Sequence, residues 1–239
     1  MGSADPLRAL ARARLSDEIG TLAKQAPERV ALVYPSPYSV AMSSLGFQQI
    51  YRTTNATPGR SAERAFLPED VEAHRGVPLF TYESMRPVSD FAVIGLSVAF
   101  ELELAGVVRV LELAGLEPLA EDRREGDPFV LAGGPLTFSN PLPLAPYADA
   151  ILMGEADETA QRALDVIFGC ATKEEAKRAL AREIPPASCR ICTRSCPRWP
   201  SAPTRSCRPT RPSARRTPSS RTCSSSRRSA AATGSAPTA

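Results

Sequence analysis

The sequence predicts a doubly wound α/β protein built on a parallel sheet of five strands, and three observations carry that expectation. Short apolar runs alternate with stretches whose apolar residues recur at helical spacing, the pattern of repeated βαβ units. Most of those runs stop at Gly, Pro or Ser, residues that suit the turn from a strand into a helix. The composition also divides sharply: residues 187–239 use Ala, Ser, Cys, Arg, Thr and Pro, with only Ile191, Trp199 and Gly234 outside that set. The folded core must therefore be written in residues 1–186, enough for one domain.

Residues 1–27 are expected to supply an N-terminal helix, amphipathic and studded with charge. Residues 29–34 (RVALVY) lie between Pro27 and Pro35, too short an apolar run for a helix and well suited to a buried strand. A helix is expected over 40–51, then a second strand over 63–67 (ERAFL). Residues 91–98 (FAVIGLSV) give the clearest strand and lead into a helix over 101–114, which Gly115 would cap. A fourth strand at 129–132 runs into Gly133-Gly134-Pro135, and a fifth at 150–153 runs into Gly154-Glu155. Two helices, 157–168 and 172–182, close the domain, which is taken as 28–186. Five strands with right-handed helical crossovers favour the flavodoxin-like order 2-1-3-4-5.

Sheets of this kind bind ligands beyond the carboxyl ends of their strands. That rule nominates Tyr34, Pro35 and Ser36, then Ser97, then Gly133, Gly134 and Pro135, then Gly154 and Glu155 as cofactor-binding positions. The glycines admit two readings, close backbone approach to a ligand or a tight turn at positive φ. Glu101, Glu103 and Glu112 read as a solvated helix face, and His74 as a loop residue. No residue is nominated as catalytic or as a metal ligand.

The tail carries 11 Arg and no acid, leaving 18 basic against 26 acidic residues in 1–186. With almost no apolar side chains to offset chain entropy, residues 187–239 are expected to be disordered. Five of the six cysteines fall in that tail, so the body shows the sparse cysteine usage of a cytoplasmic protein. No signal-peptide core and no stretch of membrane-spanning length is present.

The stretches ALVYPSPYSVAMSSLGFQQIY, AERAFLPED, FAVIGLSVAFELEL and LAGGPLTFSNPLPLAPYADAILMGEADE together resemble the N-terminal cobalamin-binding-like domain of B12-binding-domain radical SAM proteins, over residues 28–183. The resemblance implies a small-molecule cofactor, cobalamin, and a radical SAM barrel as the following partner domain. It implies further that the barrel of the intact parent opens with CxxxCxxC, holding a [4Fe-4S] cluster whose open iron takes S-adenosylmethionine for reductive cleavage to a 5′-deoxyadenosyl radical. Two departures stand out. No DxHxxG motif is present, so any cobalamin would be held without a lower His ligand, and Gly154-Glu155 is followed by Ala156-Asp157 in place of a glycine and an acid.

Cys189, Cys192 and Cys196 are spaced CxxCxxxC, the reverse of the radical SAM order, and read as accidental. A shifted reading frame is more informative. With synonymous codons, the tail from Thr222 to Ala239 can read MFLVEAERGCHRxCTYC one base out of register, its cysteines arising at Ala232, Ala236 and Ala239. The expectation is a frameshift near 184–187, which makes the chain a fragment of a radical SAM enzyme with the cluster motif unread. Two other readings stay open: a stand-alone cobalamin or nucleotide binding module at the Gly133-Gly134 and Gly154 loops, and a nucleic-acid binder acting through the basic tail. The tail's lack of Lys and of interleaved aromatics disfavours nucleic acid.

Overall fold

Strand β1 (Glu28–Pro37) shows how the sequence sets the two layers of the core. Its side chains alternate, so Val30, Leu32 and Tyr34 join one apolar cluster and Ala31 and Val33 the other. The computed structural model describes residues 4–184 and 190–193, all within one compact unit. β1 lies between β2 (Arg60–Leu67) and β3 (Val93–Ser97), with β4 (Phe129–Gly133) and β5 (Ala150–Met153) beyond, and all four pairings are parallel. The order β2-β1-β3-β4-β5 is the flavodoxin-like order expected. Both faces are buried, as a parallel sheet requires.

One face carries α1 (Ala4–Asp17), α3 (Leu45–Ala56), α6 (Asp157–Gly169) and α7 (Lys173–Glu183). The other carries α4 (Leu104–Leu113) and the connection through α5 (Leu136–Ser139). α4 seats closely on β1 because Gly106 has no β-carbon; one would overlap the Pro35 carbonyl.

Several boundaries differ from expectation. The N-terminal helix stops at Asp17 and does not reach 27; Gly20 at φ +93° turns the chain away. The helix expected over 40–51 is two helices, α2 (Tyr38–Ala41) and α3. Ser44 begins α3 as its N-cap, accepting the Phe47 N–H at 3.4 Å. β2 starts at Arg60, because Arg60 is buried against Glu28 and Asp165 at 2.6 and 2.8 Å. Glu103 is also not on a solvated face; it is buried at the start of α4.

The open edge of β2 is managed by the segment beside it. Tyr82 N–H donates to the Arg64 carbonyl at 2.7 Å, and the Glu83 carboxylate accepts the Arg64 N–H at 2.7 Å and its Nε at 2.6 Å. These bonds take the place of a further strand. At the opposite edge, β6 (Arg190–Thr193) pairs antiparallel with β5, Arg190 opposite Met153. This four-residue strand adds to the five expected. The rest of the tail, with Cys189, Cys196, Cys207, Cys223 and the segment 222–239, lies outside the described residues, and with it the expectation of disorder there.

Candidate functional site

A cavity of about 280 Å³ opens on the face of the sheet that carries α3 and α6. Its floor is Val30 and Leu32 of β1, Gly95 of β3, Leu131 of β4 and Leu152 of β5. Topology leaves this floor bare: α4 and α5 pack on the opposite face, so no helix covers β3 here. Phe47 and Ile50 of α3 form one wall, Ala160 and Leu164 of α6 the other. Gln161 Nε2 donates to Thr54 Oγ1 at 2.9 Å and joins the two helices beyond the cavity. Gly95 deepens the floor; a β-carbon there would lie 2.9 Å from Leu32 Cδ2.

Six of the nine nominated residues meet at the rim: Ser97, Gly133, Gly134, Pro135, Gly154 and Glu155. Tyr34, Pro35 and Ser36 do not line it. The Tyr34 ring is buried edge-on against Phe47, the Pro35 carbonyl abuts α4, and Ser36 Oγ donates to Glu103 Oε1 at 3.2 Å. The Tyr34 pKa is pushed up to about 12, by burial first and then by the Glu103 charge.

The two readings of the glycines separate. Gly134, at φ +106°, serves the turn: a β-carbon there would meet the Val98 backbone at 2.6 Å. Gly154, at φ +102°, also occupies the left-handed region. Gly95, which spacing does not single out, is the glycine that makes room. Sequence reasoning also missed Ser44, Phe47 and Ile50 on one wall and Ala160 on the other; the Ser-Ser pair before an apolar helical run was the available signal for the first.

The lining is mostly apolar, with Ser44, Ser97 and Glu155 as polar exceptions, the composition of a small-molecule site. Its volume lies just under the range usual for such sites. His74 is elsewhere, with Nδ1 2.7 Å from the Asp70 carbonyl. Among the described residues no group of three or more His, Cys, Asp or Glu could hold a metal ion, so they do not fit an iron-sulfur cluster. No helix among them is long and apolar enough to cross a membrane.

Exposed apolar side chains also occur at this end of the sheet. Phe138 lines the mouth and is 66% exposed, Phe100 and Leu102 follow β3, and Leu45 opens α3.

No curated protein and no solved structure matches the chain. The family model described as radical SAM proteins, N-terminal, matches residues 46–188, from α3 through α7. That span includes both helical walls of the cavity and four of its rim glycines and prolines, and it covers more than half of the sequence. The chain thus belongs to the radical SAM protein family, to which it contributes the N-terminal domain.

Proposed function

We propose that this domain holds a small-molecule cofactor of the cobalamin class in the cavity over β3 and presents it to a radical SAM catalytic domain. The observation that carries the reading is the coincidence, at the carboxyl ends of the strands, of an apolar cavity and exposed apolar residues that follow β1, β3 and β4. Leu102 is 93% exposed and Leu45 81%; side chains so placed favour coverage by another surface. β6 begins at that same end, with Arg190 opposite Met153.

The fit to cobalamin is partial and specific. Gly95, Leu32 and Leu131 form a floor for an apolar base, between Phe47 and Ile50 on one side and Leu164 on the other, while the corrin would lie outside the mouth. No described His is placed to ligate cobalt. When bound, such a cofactor supplies radical chemistry at its metal. The chain's own residues would orient the base, exclude water from it through the apolar walls, and place Ser97 and Glu155 beside the mouth.

In the same reading the chain is a fragment of its parent enzyme. S-adenosylmethionine cleavage and the cluster belong to the parent's barrel, whose opening CxxxCxxC motif is read out of frame in the tail. Resequencing from the codon of Ala179 to beyond Ala239 tests this. One inserted or missing base that restores MFLVEAERGC and an open frame is expected; a frame that stands as written overturns the fragment reading and leaves a binding module. Cofactor binding is tested separately by absorbance titration with hydroxocobalamin.

A further inference from the structure

The crevice between the carboxyl ends of β1 and β3 is where the strand order reverses, and in doubly wound sheets a ligand phosphate commonly takes the free N–H groups at this point. Here those groups already hold a carboxylate of the protein itself. Glu103, 8% exposed, accepts the Ala99 N–H on Oε2 at 2.6 Å and the Phe100 N–H at 3.4 Å. Its Oε1 accepts the Ser36 hydroxyl at 3.2 Å. Among the described residues no Lys or Arg pairs with it.

The loop that binds this carboxylate adjoins the cavity, since Ala99 follows Ser97 of the rim by two residues. At the rim stands a second carboxylate, Glu155, and no Lys or Arg among the described residues lines the cavity.

We infer that Glu103 and Glu155 together make the cavity select against phosphorylated ligands, so that its occupant presents an uncharged or cationic flat ring system to this part of the site. This inference rests on the reading of the cavity as a cofactor site. A phosphate at the mouth would meet the Glu155 carboxylate, with no cation among the described lining residues to balance it, and would find the Ala99 and Phe100 N–H donors already engaged by Glu103. Like-charge juxtaposition of this kind is an effective way of rejecting a wrong ligand. A nucleotide held by its phosphates is therefore the wrong class of occupant. A cofactor with a phosphodiester is admitted only with that group outside the mouth.

The test uses the full chain and two matched pairs, riboflavin against flavin mononucleotide and adenosine against adenosine monophosphate, by isothermal titration. The unphosphorylated member of each pair that binds is expected to bind about tenfold tighter or more. Glu103→Gln keeps an acceptor for the Ala99 N–H while removing the charge, and Glu155→Gln changes an exposed residue that the fold does not need. A preference that narrows in either variant is the expected result. Equal or tighter binding of the phosphorylated member, or a preference unchanged in both variants, overturns the inference while leaving the cavity a ligand site. Absence of binding by every ligand, hydroxocobalamin included, overturns the cofactor-site reading and this inference with it.

Discussion

Gly134 packs against the backbone of Val98 so closely that a β-carbon at 134 would stand 2.6 Å from the Val98 carbonyl oxygen. Two hydrogen bonds fix this approach: Val98 N–H donates to the Gly133 carbonyl at 2.9 Å, and Leu136 N–H donates to the Val98 carbonyl at 3.1 Å. The loops after β3 and β4 are thereby stitched together beneath the cavity mouth. Gly134→Ala adds a steric clash to a left-handed backbone and is expected to cost about 2–4 kcal/mol. Urea unfolding at neutral pH checks it; a loss under about 0.5 kcal/mol would show that the loops part easily.

Gly95 makes a contrasting prediction. The atom that its β-carbon would meet is the far end of the Leu32 side chain, which can turn aside. Gly95→Ala is therefore expected to change stability by no more than about 1 kcal/mol, since reduced unfolded-state entropy offsets the crowding. It should nonetheless weaken cofactor binding, because the added methyl group and the displaced Leu32 both intrude on the floor. Thermal melts and ligand titration of the same preparation separate the two effects.

Glu18 gives a pH dependence with a definite sign. It accepts from Arg64 Nη2, Thr21 and Tyr38 at 2.7, 2.7 and 2.8 Å. Although burial opposes ionisation, these donors hold its carboxyl below its ordinary value of 4.5. A depressed folded-state pKa means that the stabilisation is fully present above 4.5 and is lost as pH falls through the lower folded-state value. Glu83, which burial pushes up, acts in the opposite sense, so the comparison must be with Glu18→Gln. The stability gap between wild type and this variant should be constant above the ordinary carboxylate value and close on acidification. A gap independent of pH would contradict the assignment.

The apolar rim predicts behaviour in solution. Leu102→Ser and Phe138→Ser replace side chains that make little internal contact, so each should alter stability by no more than about 0.5 kcal/mol. Together they should reduce self-association of the isolated chain, measured by sedimentation velocity. Unchanged association would mean that these residues do not form a sticky surface.

The sequence made the sheet legible because each parallel strand is buried on both faces and so appears as a continuous apolar run. β2 was legible only in its second half, read as 63–67. Its start at Arg60 was not, because Arg60 and Ser61 are polar residues buried in the strand, and the ion pairs of Arg60 to Glu28 and Asp165 show only in the structure. The rim of the cavity was legible from strand ends, as Ser97, Gly133 and Gly154 show. Its walls were not, because whether α3 and α6 leave a gap over β3 depends on the face to which each crossover returns. Tyr34, Pro35 and Ser36 were misplaced because each packs within the fold: Tyr34 against Phe47, Pro35 against Gly106 of α4, and Ser36 to Glu103, which was read as solvated.

Titration of the full chain with hydroxocobalamin, followed by visible absorbance, decides whether the cavity over β3 is a cofactor site. A saturable spectral change is expected, and Ile50→Trp, filling the cavity from its α3 wall, should abolish it without lowering the melting temperature by more than a few degrees. No spectral change at saturating ligand, or a change that survives Ile50→Trp, would contradict the cofactor-site reading.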